Sequence, residues 1–289
     1  LARQSQTDMP FVGTLTAAMS FFALALFGPR EPTTDRRLWL VLGVTFAFIL
    51  AVFLPQLGII AADVNHPLMP RADQRPPGLF DSWRVTGWMQ AATWLAIFVA
   101  ILLSVVAPIV RELKEHGHFR DAFKDDLRRK CYLWLFYTFC GLSLMGKGLL
   151  GFMLPGAVIF VYLLLTNEWA LLAQPTGSGP RGRVELIRGI ALLACVGFPW
   201  YTAMLAGPDG TAFWTRFFIH DHFNRLGSGV HEIDDGSFEH FLKWIGYGMW
   251  PWSGFVPVAL IGLAKLRLKD RDPESRLRLF LYLWAFLSY

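Results

Sequence analysis

Long apolar runs separated by short charged stretches set the pattern of this 289-residue chain. The runs occupy residues near 9–27, 38–60, 91–110, 131–146, 148–165, 186–206 and 241–264, and another begins near 279. Most hold the roughly 20 apolar residues needed to cross about 30 Å of hydrocarbon. The pair at 131–146 and 148–165 is short. This pattern predicts an all-α, polytopic transmembrane helix bundle of about seven to eight spans. Residues 211–224 follow a different rule. There Phe213, Trp214, Phe217 and Phe218 recur at helical spacing, with Arg216, Asp221 and His222 between them. That is the pattern of an amphipathic helix lying in the membrane interface. Trp200, Trp244, Trp250 and Trp252 fall at the same level, and an aromatic belt accounts for them.

Composition agrees with the pattern. A mean hydropathy of +0.39, 54% hydrophobic residues and 17% charged residues exclude an ordinary soluble domain. The formal charge of +5 invites a nucleic-acid partner, but the positions of the basic residues decide against one. Residues 28–37, 111–130, 166–188 and 265–278 carry three, seven, three and six Lys or Arg, 19 of the 27 in the chain. The other eight, Arg3, Arg71, Arg75, Arg84, Lys147, Arg216, Arg225 and Lys243, fall on the opposite side in every alternation. The positive-inside rule puts the first group in the cytoplasm and the second outside.

The segments between the runs take their readings from that orientation. The Pro-rich 61–90 loop and the polar 207–240 loop are external. The 111–130 segment is cytoplasmic and reads as a short surface helix or solvated connector, its Lys and Arg within reach of anionic headgroups. Residues 174–183 read as a flexible cytoplasmic linker. No internal repeat is evident. Cys131, Cys140 and Cys195 all fall inside apolar runs and read as buried free thiols, with neither disulfide nor metal-ligand spacing. Residues 1–289 form one transmembrane domain. Leu1 is not a start methionine and Tyr289 ends inside an apolar run, so the chain is expected to be an internal piece of a longer protein.

Candidate chemistry gathers at the outer face. Four of the seven histidines, His220, His222, His231 and His240, lie in 207–240. Ionisable residues at a membrane boundary are a functional-site hypothesis by default. Arg3, Gln4 and Asp8 immediately precede the first span. Lys147 interrupts the apolar stretch Gly141–Gly151, where a lysine costs roughly 2.5–3.5 kcal/mol on insertion scales unless it reaches water or an anion. Gly146 and Gly148 beside it permit close approach by backbone or ligand. The plainer reading is a snorkelling lysine at a span end; the sharper one is an anion-binding lysine. His220, Asp221, His222 and His231 are residue types that suit a divalent metal. The His220-x-His222 spacing serves that purpose better on an extended segment than on a helix. Hydrogen-bonding or structural histidines are the plainer alternative.

In order along the chain stand Arg3-Gln4 with Asp8-Met9-Pro10, Gly146-Lys147-Gly148-Leu149-Leu150-Gly151 with Leu154-Pro155, Phe198-Pro199-Trp200-Tyr201, Asp221-His222 with Arg225, and Trp250-Pro251-Trp252. This succession resembles the ArnT/protein-mannosyltransferase group of membrane glycosyltransferases, of the GT-C class and glycosyltransferase family 39. The resemblance implies a GT-C-like bundle in a bacterial inner membrane. It also implies transfer of a sugar from a polyprenyl-phosphate donor to a lipid A, protein or glycan acceptor at the periplasmic face. By motif position Asp8 matches the acidic residue following the family's first catalytic loop, and Lys147 matches the lysine near the donor phosphate. His222 with Arg225 matches its acidic-His-x-x-Arg segment, in which Asp221 stands where Glu is frequent. Arg3 and His231 join the substrate-binding set. Two departures stand out: the loop with the main catalytic carboxylate would precede Asp8, and residues 38–110 add a span pair. The chemistry implied is a single inverting displacement, with cations stabilising the departing phosphate. A polytopic transporter or lipid flippase, which would place its polar residues near the midplane in repeated halves, is the competing reading, and an inactive scaffold is a third.

Overall fold

The computed structural model describes residues 2–29, 34–63, 87–173, 184–206, 210–224, 239, 252–265 and 272–288, with backbone alone at 2–8, 63, 173, 221–224, 252–253 and 264. Its helices are α1 (Ala2–Phe27), α2 (Asp35–Asp63), α3 (Gly87–His116), α4 (Asp121–Lys147), α5 (Leu150–Thr166), α6 (Ala170–Ala173) and α7 (Leu186–Ala206). The short α8 (Gly210–Phe213) runs into a π-helix, Trp214–Asn224; a 3-10 turn, Trp252–Phe255, leads into α9 (Val256–Ala264), and α10 spans Pro273–Ser288. No strand occurs among the described residues. Met9–Phe27, Asp35–Ala62, Gly87–His116 and Leu186–Ala206 are long and apolar enough to cross a membrane, and Leu150–Thr166 is a shorter apolar helix. An all-α membrane helix bundle is therefore what the hydrophobic pattern produces. Of the run expected at 241–264, residues 252–264 are described.

The centre of the bundle is α4. It stacks Tyr132 and Phe139 against Phe21 of α1, with ring centroids 6.3 and 5.6 Å apart. Phe136 lies 5.0 Å from Phe22, which in turn lies 5.3 Å from Phe280 of α10. Against α7 the packing is closer still. A Cβ on Gly141 would stand 2.8 Å from Val196, and one on Gly197 would stand 2.5 Å from Leu144. Lipid tails are as apolar as the side chains, so helices in a bilayer associate through close van der Waals packing of this kind. The α2–α3 pair, expected as an addition to the family pattern, covers another side of α4. Phe53 and Phe98 join the two helices at 4.6 Å, Phe46 meets Trp134 at 5.7 Å, and Trp94 Nε1 donates to Thr202 Oγ1 at 3.3 Å.

The charged segment at 111–130 is helical over most of its length, though not as one short helix of its own. The flanking helices α3 and α4 extend through most of it and meet only at residues 117–120, where Gly117 takes φ +71°. Glu112 is 5% exposed and Arg128 8%. Burial is possible because the charges find partners. Arg120 grips Glu112 bidentately at 2.7 and 2.8 Å across the turn, and that bond raises its pKa. Lys124 reaches Asp35 at 2.7 Å, and this hydrogen bond holds the ammonium above its usual range.

The same chemistry ties the basic segments to one another. Lys124–Asp35 links 111–130 to 28–37, Lys130–Glu185 (3.7 Å) links it to 166–188, and Arg276–Glu168 (3.5 Å) joins 265–278 to 166–188. Arg128 also donates to the Pro29 carbonyl at 2.9 Å. All four basic segments thus meet at one end of the bundle, as the alternation of charges requires.

Single cysteines in the 174–183 linker should resist an impermeant thiol reagent in intact cells, while cysteines in the 61–90 loop should react. The native Cys131, Cys140 and Cys195 are at most 1% exposed and should stay silent. Labelling of both loops from the same side would contradict the span assignment.

Candidate functional site

At the end opposite the ion pairs, α4 stops at Lys147. Gly148 adopts φ +70°, a conformation that side-chain-bearing residues rarely take, and its N–H bonds the Leu144 carbonyl at 2.8 Å. Gly151 N–H then bonds Gly148 O at 2.9 Å as α5 begins. The two helices double back so tightly that a Cβ on Gly151 would stand 2.2 Å from the Leu144 nitrogen. The Gly-Lys-Gly-Leu-Leu-Gly run is therefore a backbone device, and it leaves Lys147 exposed on the tip of the turn. Lys147 Nζ sits 5.5 Å from the centre of the Phe11 ring, a cation–π contact worth about 0.5–1 kcal/mol where solvent is near. One residue earlier, a Cβ on Gly146 would lie 3.4 Å from Phe11 Cα. The tip of α4 thus leans on α1 one helical turn after Asp8.

A second pair of elements closes on the same turn. Tyr201, from the Phe-Pro-Trp-Tyr motif of α7, donates its hydroxyl to the Leu144 carbonyl at 2.7 Å. Its ring faces the helix that follows: Phe217 lies 5.3 Å away, Phe213 6.2 Å and Phe218 6.3 Å. Phe213 and Phe217 stack at 5.3 Å, and Trp214 meets Phe218 at 4.7 Å. Thr211, Ala212, Thr215, Arg216 and Ile219 of that helix are exposed, while Phe213, Trp214, Phe217, Phe218 and His220 are half-buried. The amphipathic helix forms as its pattern predicts, with a difference in winding and in docking. From Trp214 onward it is a π-helix, and its aromatic stripe packs on Tyr201. A π-helix bonds i to i+5 and is wider than an α-helix, which keeps Phe213, Phe217 and Phe218 on one side.

No protein-family model matches the chain, and no solved structure matches it. Curated relatives do. One is the undecaprenyl phosphate-alpha-4-amino-4-deoxy-L-arabinose arabinosyl transferase of Pseudomonas paraeruginosa (strain DSM 24068 / PA7), 31% identical over 121 residues, 42% of this chain and 20% of that protein. The transferase of the same name from Pseudomonas aeruginosa (strain LESB58) is 29% identical over 148 residues, 51% of this chain and 24% of its own length. In Proteus mirabilis (strain HI4320) arabinosyl transferase 2 is 29% identical over 153 residues, 52% of this chain and 24% of the relative. The chain is ArnT-like over about half its length. The matched stretch spans only a fifth to a quarter of each of these relatives.

Of the residues expected in an ArnT-like site, Lys147 is described in full. Arg3 and Asp8 lie on the backbone of α1, and Asp221 and His222 on the π-helix; the side chains of these four lie outside the described residues, as do Arg225 and His231. The His220-x-His222 pair stands on helical backbone, where residues two apart do not face each other, so the extended geometry that would suit a metal is not present there. Among the described residues no group of three His, Cys, Asp or Glu side chains is placed to hold a metal ion. Sequence reading passed over Tyr201, Phe11 and Leu144.

Phe11 Cβ and an ideal Cβ on Gly146 stand 3.6 Å apart, inside the roughly 3.5–4.5 Å range of disulfides. The double variant Phe11→Cys/Gly146→Cys should therefore form an intramolecular disulfide on oxidation, recovered as a linked peptide pair by mass spectrometry. Two free thiols after oxidation would contradict the packing of the Lys147 turn on α1.

Proposed function

We propose that this chain is part of a membrane glycosyltransferase that moves a sugar from a polyprenyl-phosphate donor to an acceptor, a lipid A, protein or glycan group, at the outer face of a bacterial inner membrane. The observation that carries the reading is Lys147. It is an exposed cation on a glycine-built turn, it leans on the α1 segment that follows Asp8, and it lies at the end of the bundle remote from the ion-paired segments. The names of the relatives, which specify an undecaprenyl-phosphate-linked sugar, support the donor class.

In this reading an acceptor nucleophile attacks the anomeric carbon, and the bond from that carbon to the phosphate oxygen breaks. The electron pair leaves with the lipid phosphate, so negative charge grows on the leaving oxygen as the new glycosidic bond forms. Lys147 meets that charge at the membrane surface, with Arg3 and Arg225 as further cations. A carboxylate takes the acceptor's proton, and Asp8 is this chain's candidate for work at that position. Asp221, His222 and His231 orient donor or acceptor by hydrogen bonds. The prenyl tail stays in the bilayer while the sugar reaches water.

In the complete protein Lys147→Ala should lower sugar transfer by about a hundredfold or more, the scale for removing a group that stabilises developing charge, with membrane insertion unchanged. Lys147→Arg should retain part of the activity, because charge is kept but a planar fork replaces a point ammonium. Wild-type transfer by Lys147→Ala would return the residue to a snorkelling role.

A further inference from the structure

We propose that Tyr201 is a positioning residue that couples the Lys147 turn to the outer helix, its hydroxyl fixing the turn and its ring fixing the helix. The proposal rests on the donor-phosphate role of Lys147. The last four carbonyls of a helix have no partner within it. In α4 the first of these belongs to Leu144, three residues before Lys147, and it accepts both the Gly148 N–H at 2.8 Å and the Tyr201 hydroxyl at 2.7 Å. Leu144 is fully buried and Tyr201 is 5% exposed, so water does not compete for this bond. It ties the tip of α4 to α7 from the side, at the point where the chain must turn within three residues.

The other end of the same side chain belongs to a different element. The Tyr201 ring is surrounded by Phe213, Phe217 and Phe218, and Phe198 from its own helix stands 6.3 Å away. Phe213 closes α8, and the π-helix that carries Phe217 and Phe218 continues directly through His220, Asp221 and His222. One tyrosine is thus shared between the turn that presents the lysine and the helix that leads to the polar segment. A lysine stem is flexible, so its ammonium is placed by the backbone that carries it. A shift of that backbone by an ångström is enough to weaken an oriented contact severely.

The test is a double-mutant cycle in the complete protein, with undecaprenyl phosphate as the probe, binding measured in detergent micelles, and thermal unfolding recorded for each variant. Tyr201→Phe keeps the ring and should leave the unfolding midpoint near wild type, while affinity for undecaprenyl phosphate falls about fivefold, within the range of one hydrogen bond. Lys147→Ala should fall further, and Tyr201→Phe/Lys147→Ala should bind no more weakly than Lys147→Ala alone, because the hydroxyl acts only through the lysine. Tyr201→Leu, which removes the ring as well, should lower the unfolding midpoint. Additive losses in the double variant would overturn the proposal, since Tyr201 would then act independently of Lys147. Normal binding by Tyr201→Phe beside a defective Lys147→Ala would remove the positioning role and leave the functional reading standing. A midpoint in Tyr201→Phe as low as in Tyr201→Leu would reduce the hydroxyl to a structural bond. Normal binding by Lys147→Ala would remove both readings.

Discussion

The fold depends on how closely other helices can approach α4. In water, apolar faces drive helices together; in a bilayer they do not, and association falls to packing of small residues and to buried polar contacts. Gly141 and Gly197 supply that approach between α4 and α7, and Gly151 supplies it where α5 doubles back on Ser143 and Leu144. Once α4 is held on these sides, its two ends acquire different jobs. The Asp121 end is clamped by ion pairs to α2 and to Glu185 just before α7, and Arg120 ahead of it pairs with Glu112 of α3. The Lys147 end is closed by backbone and by one tyrosine hydroxyl, and Lys147 is exposed there.

This polarity separates the functional readings. A transporter would be expected to place ionisable groups near the midplane, on broken helices of repeated halves. Among the described residues the Asp, Lys and Arg side chains of α4 gather at its ends, from Asp121 to Lys130 and at Lys147, while between them lie Cys131, Trp134, Tyr137, Cys140 and Leu144. A surface-active enzyme needs one face for lipid phosphate and water together, and the function proposed above assigns that part to the Lys147 turn.

Much of this was legible in the sequence because membrane spans obey simple local rules. Apolar run length gave the spans around α1, α2, α3 and α7, and the partition of Lys and Arg grouped the four basic segments that the ion pairs bring together. Lys147 stood out for the same reason: a charge amid apolar residues is costly and visible. The ties of the 111–130 segment were harder to read, because Lys124 and Lys130 pair with Asp35 and Glu185, which are distant in sequence. The winding of Trp214–Asn224 was hidden since a 3.6-residue period and a wider π-turn both align Phe213 with Phe217 and Trp214 with Phe218. Tyr201 was hidden in another way: its partner is a backbone carbonyl, and no side-chain pattern announces one.

The central claim is that the outward cation of this turn receives a lipid phosphate. An experimental structure of the complete protein with undecaprenyl phosphate bound addresses it most directly. The account predicts the phosphate oxygens within hydrogen-bonding distance of Lys147 Nζ, roughly 3 Å, with the prenyl chain running back along the bundle. A phosphate held elsewhere, with Lys147 still turned to bulk solvent, would contradict it.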